Sequence, residues 1–491
     1  MKYFLYSKKY FSRPYGGILI HLNLSARICI RQSVPAQIKF GLLRFSGAFY
    51  CLEKIAISLV NWAMKILDYN NPDLFSILGE AAAPKSSTAD VAKIAASVID
   101  DVRKYGDKAV EDLTLKFDGV NISAENFRVK KEEFEKALGI VSEDDKKMIS
   151  EAIKCVEFYN RHSKPKNWTA TNPHGAVVGE MFYPINRVGI YIPGGQAPLV
   201  STVVMTVTLA KIAGCPQICV CTPPAKDGTI NPGILTVLSL LGVDEVYKIG
   251  GAQAIAAMGV GTQTIRAVDK LFGPGNAYVI AAKRELFGEV GVDLLPGPSE
   301  VLIVADDSAN PRYVAADLLS QAEHGSGREK IYLVSTSAKI VSDVEAELSA
   351  LEPTYTRAQK LMKIIHDNCY VVIVPDIAAA ANVANFIAPE HMELQIVDAD
   401  KWVGEFKTAG AVLIGAYTPT VLGDFTAGPS HTLPTGRTGR FSGGLQVVDF
   451  MRRSSYVKYD EKSIEKARDV VCAFSKMESL DAHGGSLTIR L

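Results

Sequence analysis

Val188-Gly189-Ile190-Tyr191-Ile192-Pro193-Gly194-Gly195 decides the fold: a short apolar run ends in a glycine-rich turn. Residues 188–192 have the length and composition of a buried strand, and two further runs of that kind, 218–221 and 245–249, follow it. Helical stretches near 199–213, 232–241 and 252–258 fill the intervals. Short apolar runs alternating with helices are βαβ units, whose strands lie parallel. A second series has strands at 300–305, 330–334, 370–374 and 411–415, with helices near 311–323, 338–351, 356–368 and 377–386. The expectation is an α/β protein of two doubly wound, Rossmann-like units.

The flanks differ from these series. Ser87 to Asp90, followed by Val91, Ile94, Val98, Ile99 and Val102, spell a capped amphipathic helix, and Ser142 to Asp145 open a second with Ile149, Ile153 and Val156. Past Thr435-Gly436-Arg437-Thr438-Gly439-Arg440 the sheet signal stops. From about Phe441 the chain reads as a mostly helical appendage, with too little core to fold alone.

A chain of 491 residues exceeds what one hydrophobic core usually organises, and 48% hydrophobic with 22% charged residues is the balance of a soluble globular enzyme. The net charge of zero gives no reason to expect a nucleic-acid partner. It conceals an asymmetry, since residues 1–63 hold nine Lys and Arg against one acid, Glu53. A basic leader of this kind fits an organelle transit peptide; a start at Met64, which opens Met-Lys-Ile-Leu-Asp-Tyr, fits equally, with the leader a mis-assigned upstream region. Its apolar stretches, 17–20 and 55–60, fall far short of the roughly 20 residues of a membrane span. The eight Cys form no C-x-x-C pair, and Cys219 and Cys221 lie within an apolar run, so buried reduced thiols are expected.

Candidate chemistry lies in the second series and beyond. Gln321 and His324 stand three apart at the end of an expected helix, so an amide and an imidazole share one face. Asp424, beside Gly423 and before Gly428-Pro429, falls in an expected loop after a strand, where α/β enzymes place ligands. Glu390 and His391 are adjacent, in an expected loop or helix end opened by Pro389; an acid beside an imidazole can serve two proton transfers. Turn, surface and core roles remain open for each on these grounds alone. The dinucleotide fingerprint is incomplete: Gly273-Pro274-Gly275-Asn276-Ala277-Tyr278 lacks the last glycine and Gly259-Val260-Gly261 the third. Glycine-rich loops do follow strands at Pro193-Gly194-Gly195 and Gly250-Gly251-Ala252-Gln253, where backbone can approach a phosphate or ribose. No H-E-x-x-H zinc hydrolase motif is present.

Four segments taken together resemble histidinol dehydrogenase. They are Ser320-Gln321-Ala322-Glu323-His324-Gly325, Ala388-Pro389-Glu390-His391-Met392-Glu393-Leu394, Gly423-Asp424-Phe425-Thr426-Ala427-Gly428-Pro429-Ser430-His431 and Lys476-Met477-Glu478-Ser479-Leu480-Asp481-Ala482-His483-Gly484. The resemblance runs from about Met64 to the C-terminus. It implies an NAD-dependent zinc enzyme, one zinc per subunit, which oxidises L-histidinol to L-histidine through the aldehyde in two steps. The alternative is a relative acting on another small polar alcohol. By the same resemblance Glu390 and His391 are the catalytic pair, and Gln321, His324, Asp424 and His483 the zinc ligands. Ser299, His431 and Glu478 join these six at the substrate, and Tyr191, Gln253 and Asn276 contact NAD. The implied organisation is a leader at 1–63, a helical region and the start of the first α/β domain at 64–190, an inserted Rossmann-like domain at 191–298, the first domain's continuation at 299–440, and an appendage at 441–491. The appendage would complete the partner's site in a homodimer. The expected compartment is the cytoplasm, or the plastid stroma if the leader is a transit peptide, with neither nucleic acid nor membrane as partner.

Overall fold

The computed structural model describes residues 64–83, 89–194, 198–324 and 326–491. The leader, the cap expected at Ser87 and the turn residues Gly195 and Gly325 lie outside them.

The described chain opens with β1 (Lys65–Asp68) and α1 (Leu74–Ala82), then α2 (Ala89–Tyr105), α3 (Asp107–Asp118), α4 (Lys131–Ile140) and α5 (Glu143–Ser163). Ser142 caps α5 by accepting from the Asp145 N–H at 3.1 Å, as its spacing predicts. The antiparallel strands β2 (Trp168–Thr171) and β3 (Val177–Pro184) lead into the first series. It runs β4 (Arg187–Tyr191), α6 (Val200–Ala213), β5 (Gln217–Cys221), α7 (Pro232–Leu240), β6 (Val246–Tyr247), α8 (Gly251–Val260), β7 (Lys270–Phe272), α9 (Ala277–Leu286) and β8 (Gly291–Val292). The second runs β9 (Glu300–Ala305), α10 (Pro311–Ala322), β10 (Lys330–Ser335), α11 (Ala338–Leu351), α12 (Ala358–Asn368), β11 (Cys369–Ile373), α13 (Ile377–Ile387), β12 (His391–Gln395), α14 (Ala399–Trp402), β13 (Ala411–Ile414) and α15 (Thr420–Phe425). β14 (Met451–Lys458), α16 (Glu461–Met477) and α17 (Asp481–Thr488) end the chain.

Each series closes into a parallel sheet with the same strand order. One is β6-β5-β4-β7-β8, the other β11-β10-β9-β12-β13 with β1 added beside β11. In both, the first strand is central, the next two lie to one side and the last two to the other, which is the order reversal of a doubly wound fold. Helices cover both faces. Val301, Ile303 and Leu333 pack on α10 to α12, while Leu302, Val304, Met392 and Leu394 pack on α1 and α13. On the other sheet, α2, α3, α8 and α9 cover one face and α4 to α7 the opposite one. Continuous apolar strands form because both their faces are covered. The helices between residues 89 and 163 thus pack on the β4–β8 sheet.

Three elements depart from the sequence reading. His391 opens a central strand instead of lying in a loop or helix end, because His391, Glu393 and Gln395 put polar groups on one face of β12 and interrupt its apolar run. Asp424 lies in the short helix α15 instead of a loop. The appendage contributes the eight-residue strand β14, antiparallel to β3, as well as helices. Phe450, fully buried and stacked on Phe272 with centroids 3.9 Å apart, pins the start of that strand to the β4–β8 sheet. Among the described residues no helix is long and apolar enough to cross a membrane.

Candidate active site

Glu300, Lys330 and His391 are the first residues of β9, β10 and β12, and this amino edge of the sheet is where the candidate side chains meet. α10 runs back against β9, so its C-terminal end returns Gln321 and His324 to the same edge. α15 does likewise. Thr420 at its start bonds to Glu393 in the middle of β12, and Asp424 one turn later stands 3.7 Å from His391 Nε2.

The backbone of Glu300 brackets the Glu390–His391 pair. Its N–H donates to Glu390 Oε2 at 2.8 Å, and its carbonyl lies 3.2 Å from His391 Nδ1. A carbonyl can only accept, so Nδ1 carries the hydrogen and the lone pair of the neutral ring sits on Nε2. Burial lowers the His391 pKa to about 4, with His324 and His431 adding to the effect against the Glu300 bond. Burial also pushes Glu390 well above the usual carboxylate range, reinforced by Glu300 and Asp424 and opposed by the Glu300 N–H and a bond from Ser299. A neutral imidazole thus lies beside a carboxyl group whose affinity for a proton is raised. The Glu300 carboxylate is itself tied down by Lys330 Nζ at 2.9 Å and by the Gly436 N–H at 2.9 Å.

The second group of candidates borders the first. Gln321 is 3% exposed and its Nε2 has no partner among the described residues. Burial lowers the pKa of His324, and raises that of Asp424 to about 6. His431 donates from Nδ1 to the Asp424 carbonyl at 3.2 Å, and its Nε2 meets Thr202 Oγ1 of α6 at 3.3 Å. Glu478 and His483 are exposed in the tail, and no hydrogen bond or ion pair joins them to this group among the described residues. The structure brings together Ser299, Gln321, His324, Glu390, His391, Asp424 and His431, and leaves those two apart.

Tyr191, Gln253 and Asn276 line one cavity of about 800 Å³ at the carboxyl ends of β4 to β7, within the range of small-molecule sites. The Tyr191 hydroxyl accepts from the Gly251 N–H at 3.1 Å. Gly251 starts α8 at a φ of +63°, a conformation that favours glycine. Gln253 donates to Asp118 Oδ2 at 3.0 Å and Asn276 caps α9 through its own amide oxygen. The sequence reading did not single out Asp118, Glu300 or Lys330. Only a charged residue opening an apolar run hinted at Glu300 and Lys330, and Asp118 carried no local signal.

The family model for histidinol dehydrogenase matches residues 81–491. The chain belongs to the histidinol dehydrogenase family. The enzyme of that name from Clostridium acetobutylicum is 39% identical over 402 residues, covering 82% of this chain and 93% of its own. The one from Rhizobium meliloti is 41% identical over 402 residues, with 82% and 92% covered. The crystal structure of histidinol dehydrogenase from Elizabethkingia anophelis is 33% identical and superposes with a TM-score of 0.83, covering 87% of this chain and 98% of that one. Like other histidinol dehydrogenases, the chain is an oxidoreductase of histidine biosynthesis.

Proposed function

We propose that the chain oxidises L-histidinol to L-histidine through the aldehyde, with NAD as hydride acceptor in both steps and one zinc ion per subunit. The observation that carries this reading is the Glu300 bracket, which presents a basic Nε2 on His391 beside the Glu390 carboxyl group. His391 Nε2 takes the hydroxyl proton of the alcohol as hydride leaves the carbinol carbon for NAD. Glu390, as the carboxylate, then takes a proton from water as the water oxygen adds to the aldehyde carbon, while His391 returns its proton to the aldehyde oxygen. Neutral again, His391 takes a hydroxyl proton of the hydrate in the second oxidation. General acid–base groups of this kind contribute about 10²–10⁴ in rate.

The residues fit a zinc ion. Asp424 is a half-buried carboxylate whose pKa rises through burial alone. His324 is held neutral with its lone pair available, and the buried Gln321 side chain is an amide whose oxygen would be the donor. The C-terminal end of α10 adds partial negative charge toward a cation. His483 of the partner subunit supplies the fourth donor, and its Glu478 a substrate contact, in a homodimer with shared sites. When bound, zinc supplies a fixed positive charge that orients the substrate's imidazole and amino group. Ser299 and His431 complete the substrate side, and Tyr191, Gln253 and Asn276 hold the cofactor.

Steady-state assay tests the reading. Two NADH should form per histidine produced, with activity lost to a chelator and restored by zinc. Oxidation of other small polar alcohols in preference to histidinol would overturn the substrate assignment.

A further inference from the structure

Behind His391, β12 carries a second polar pair that the proposed chemistry does not use. His391, Glu393 and Gln395 alternate with Met392 and Leu394, so their side chains leave the same face. His391 pairs with Val301 and Glu393 with Ile303, and both partners pack in the core formed with α10. Glu393 is 1% exposed. Its Oε1 accepts from the Thr420 N–H at 2.9 Å and the Thr420 hydroxyl at 2.7 Å, and its Oε2 from Gln395 Nε2 at 3.2 Å. Gln395 Nε2 also donates to Asp317 Oδ2 of α10 at 3.1 Å. Gln395 Nε2 thus bridges the Asp317 and Glu393 carboxyl groups.

Two buried carboxyl groups held on one amide repel unless one keeps its proton. Burial first, and then the Glu393 charge, push Asp317 up to about 8. Glu393 accepts three hydrogen bonds, two from Thr420 and one from Gln395. Every arm of this network stands one structural repeat from a residue of the site. Asp317 precedes Gln321 by one turn of α10, Glu393 follows His391 by one strand repeat, and Thr420 precedes Asp424 by one turn of α15.

We propose that Asp317 and Glu393, bridged by Gln395 and bound to Thr420, are positioning residues that clamp α10, β12 and α15 together, so that Gln321, His324, His391 and Asp424 converge on one point. The inference rests on the zinc-and-base reading of that point. Groups in this relation to metal ligands typically govern about 10–100-fold in metal affinity or activity.

The test measures zinc affinity of the full chain by competition with a chromogenic chelator, alongside thermal melting and the kcat and KM for histidinol. Asp317→Ala removes the α10 arm of the bridge and should weaken zinc binding about 10–100-fold, with kcat falling more than KM rises. Asp317→Asn keeps an oxygen that accepts from Gln395 and should restore most of that loss. A purely structural role would lower the melting temperature and leave the zinc affinity of the folded protein unchanged, which overturns the proposal. Equal losses in the Ala and Asn variants overturn the bridge. Should Asp317→Ala not fold, Thr420→Val removes only the hydroxyl bond at the α15 arm and should still weaken zinc binding several-fold; wild-type affinity there is equally fatal. Failure of the wild-type chain to bind zinc identifies the underlying reading as the fault, and the clamp falls with it.

Discussion

At the scale of single residues, the Glu300 peptide holds the Glu390–His391 pair proposed for catalysis, and the Glu300 carboxylate anchors the peptide. His391→Asn removes the base while leaving the ligands, so turnover should fall by about 10²–10⁴ with zinc content and histidinol binding retained. Unchanged turnover in a folded variant would remove His391 from the reaction. Lys330→Met leaves Glu300 buried without its cation, and breaking a buried pair on one side costs about 3–5 kcal/mol. An unfolding free energy lowered by that much in urea titration is expected, together with reduced turnover, because Lys330 and Gly436 both bond the carboxylate whose backbone carries the bracket. A variant as stable and active as the wild type would show that the bracket needs no anchor.

At the scale of elements, the site is assembled by α10 and α15 turning back to the amino edge of β9, β10 and β12. The Asp317–Glu393 contact between α10 and β12 has a pH signature. Asp317 is raised to about 8 in the folded chain, against roughly 4 for an ordinary aspartate. Between those values the folded state keeps a proton that the unfolded state has lost, so this group's contribution is full below pH ~4, declines as pH rises and levels off above about 8. Asp317→Asn should flatten that decline in melting curves taken across the range; an unaltered slope would mean that Asp317 holds no such proton. Legibility in the sequence followed the same geometry. β4, β5, β9 and β10 announced themselves because helices cover both their faces and their runs are apolar. β12 did not, since its polar face meets Asp317, although the period-2 order His-Met-Glu-Leu-Gln is a strand signal. β14, Met-Arg-Arg-Ser-Ser-Tyr-Val-Lys, shows no alternation, and its partner β3 lies far back in the chain. Gln321, His324 and Asp424 were expected to act together only through the family resemblance, because no local spacing links two turns of different helices.

At the scale of the molecule, the two sheets divide the labour. The β4–β8 sheet offers a cavity at its carboxyl ends, where doubly wound folds bind ligands, while the β9–β13 sheet places proton-transfer groups at its amino edge. The tail leaves Phe474, Met477 and Ile489 more than half exposed, an apolar surface suited to a second subunit. Removing residues 459–491, which spares β14 and the buried Phe450, should therefore abolish activity and the dimer together, and an active monomer in sedimentation would refute a tail that serves the partner's site. The most direct measurement mixes two inactive variants, His324→Ala and His483→Ala, after dissociation, and follows NADH formation from histidinol. On random pairing about half the dimers are heterodimers, each with one site that has both histidines and one that has neither. Activity should recover to about a quarter of the wild-type level by the same symmetry. No recovery despite demonstrated subunit exchange would contradict a zinc site shared between chains.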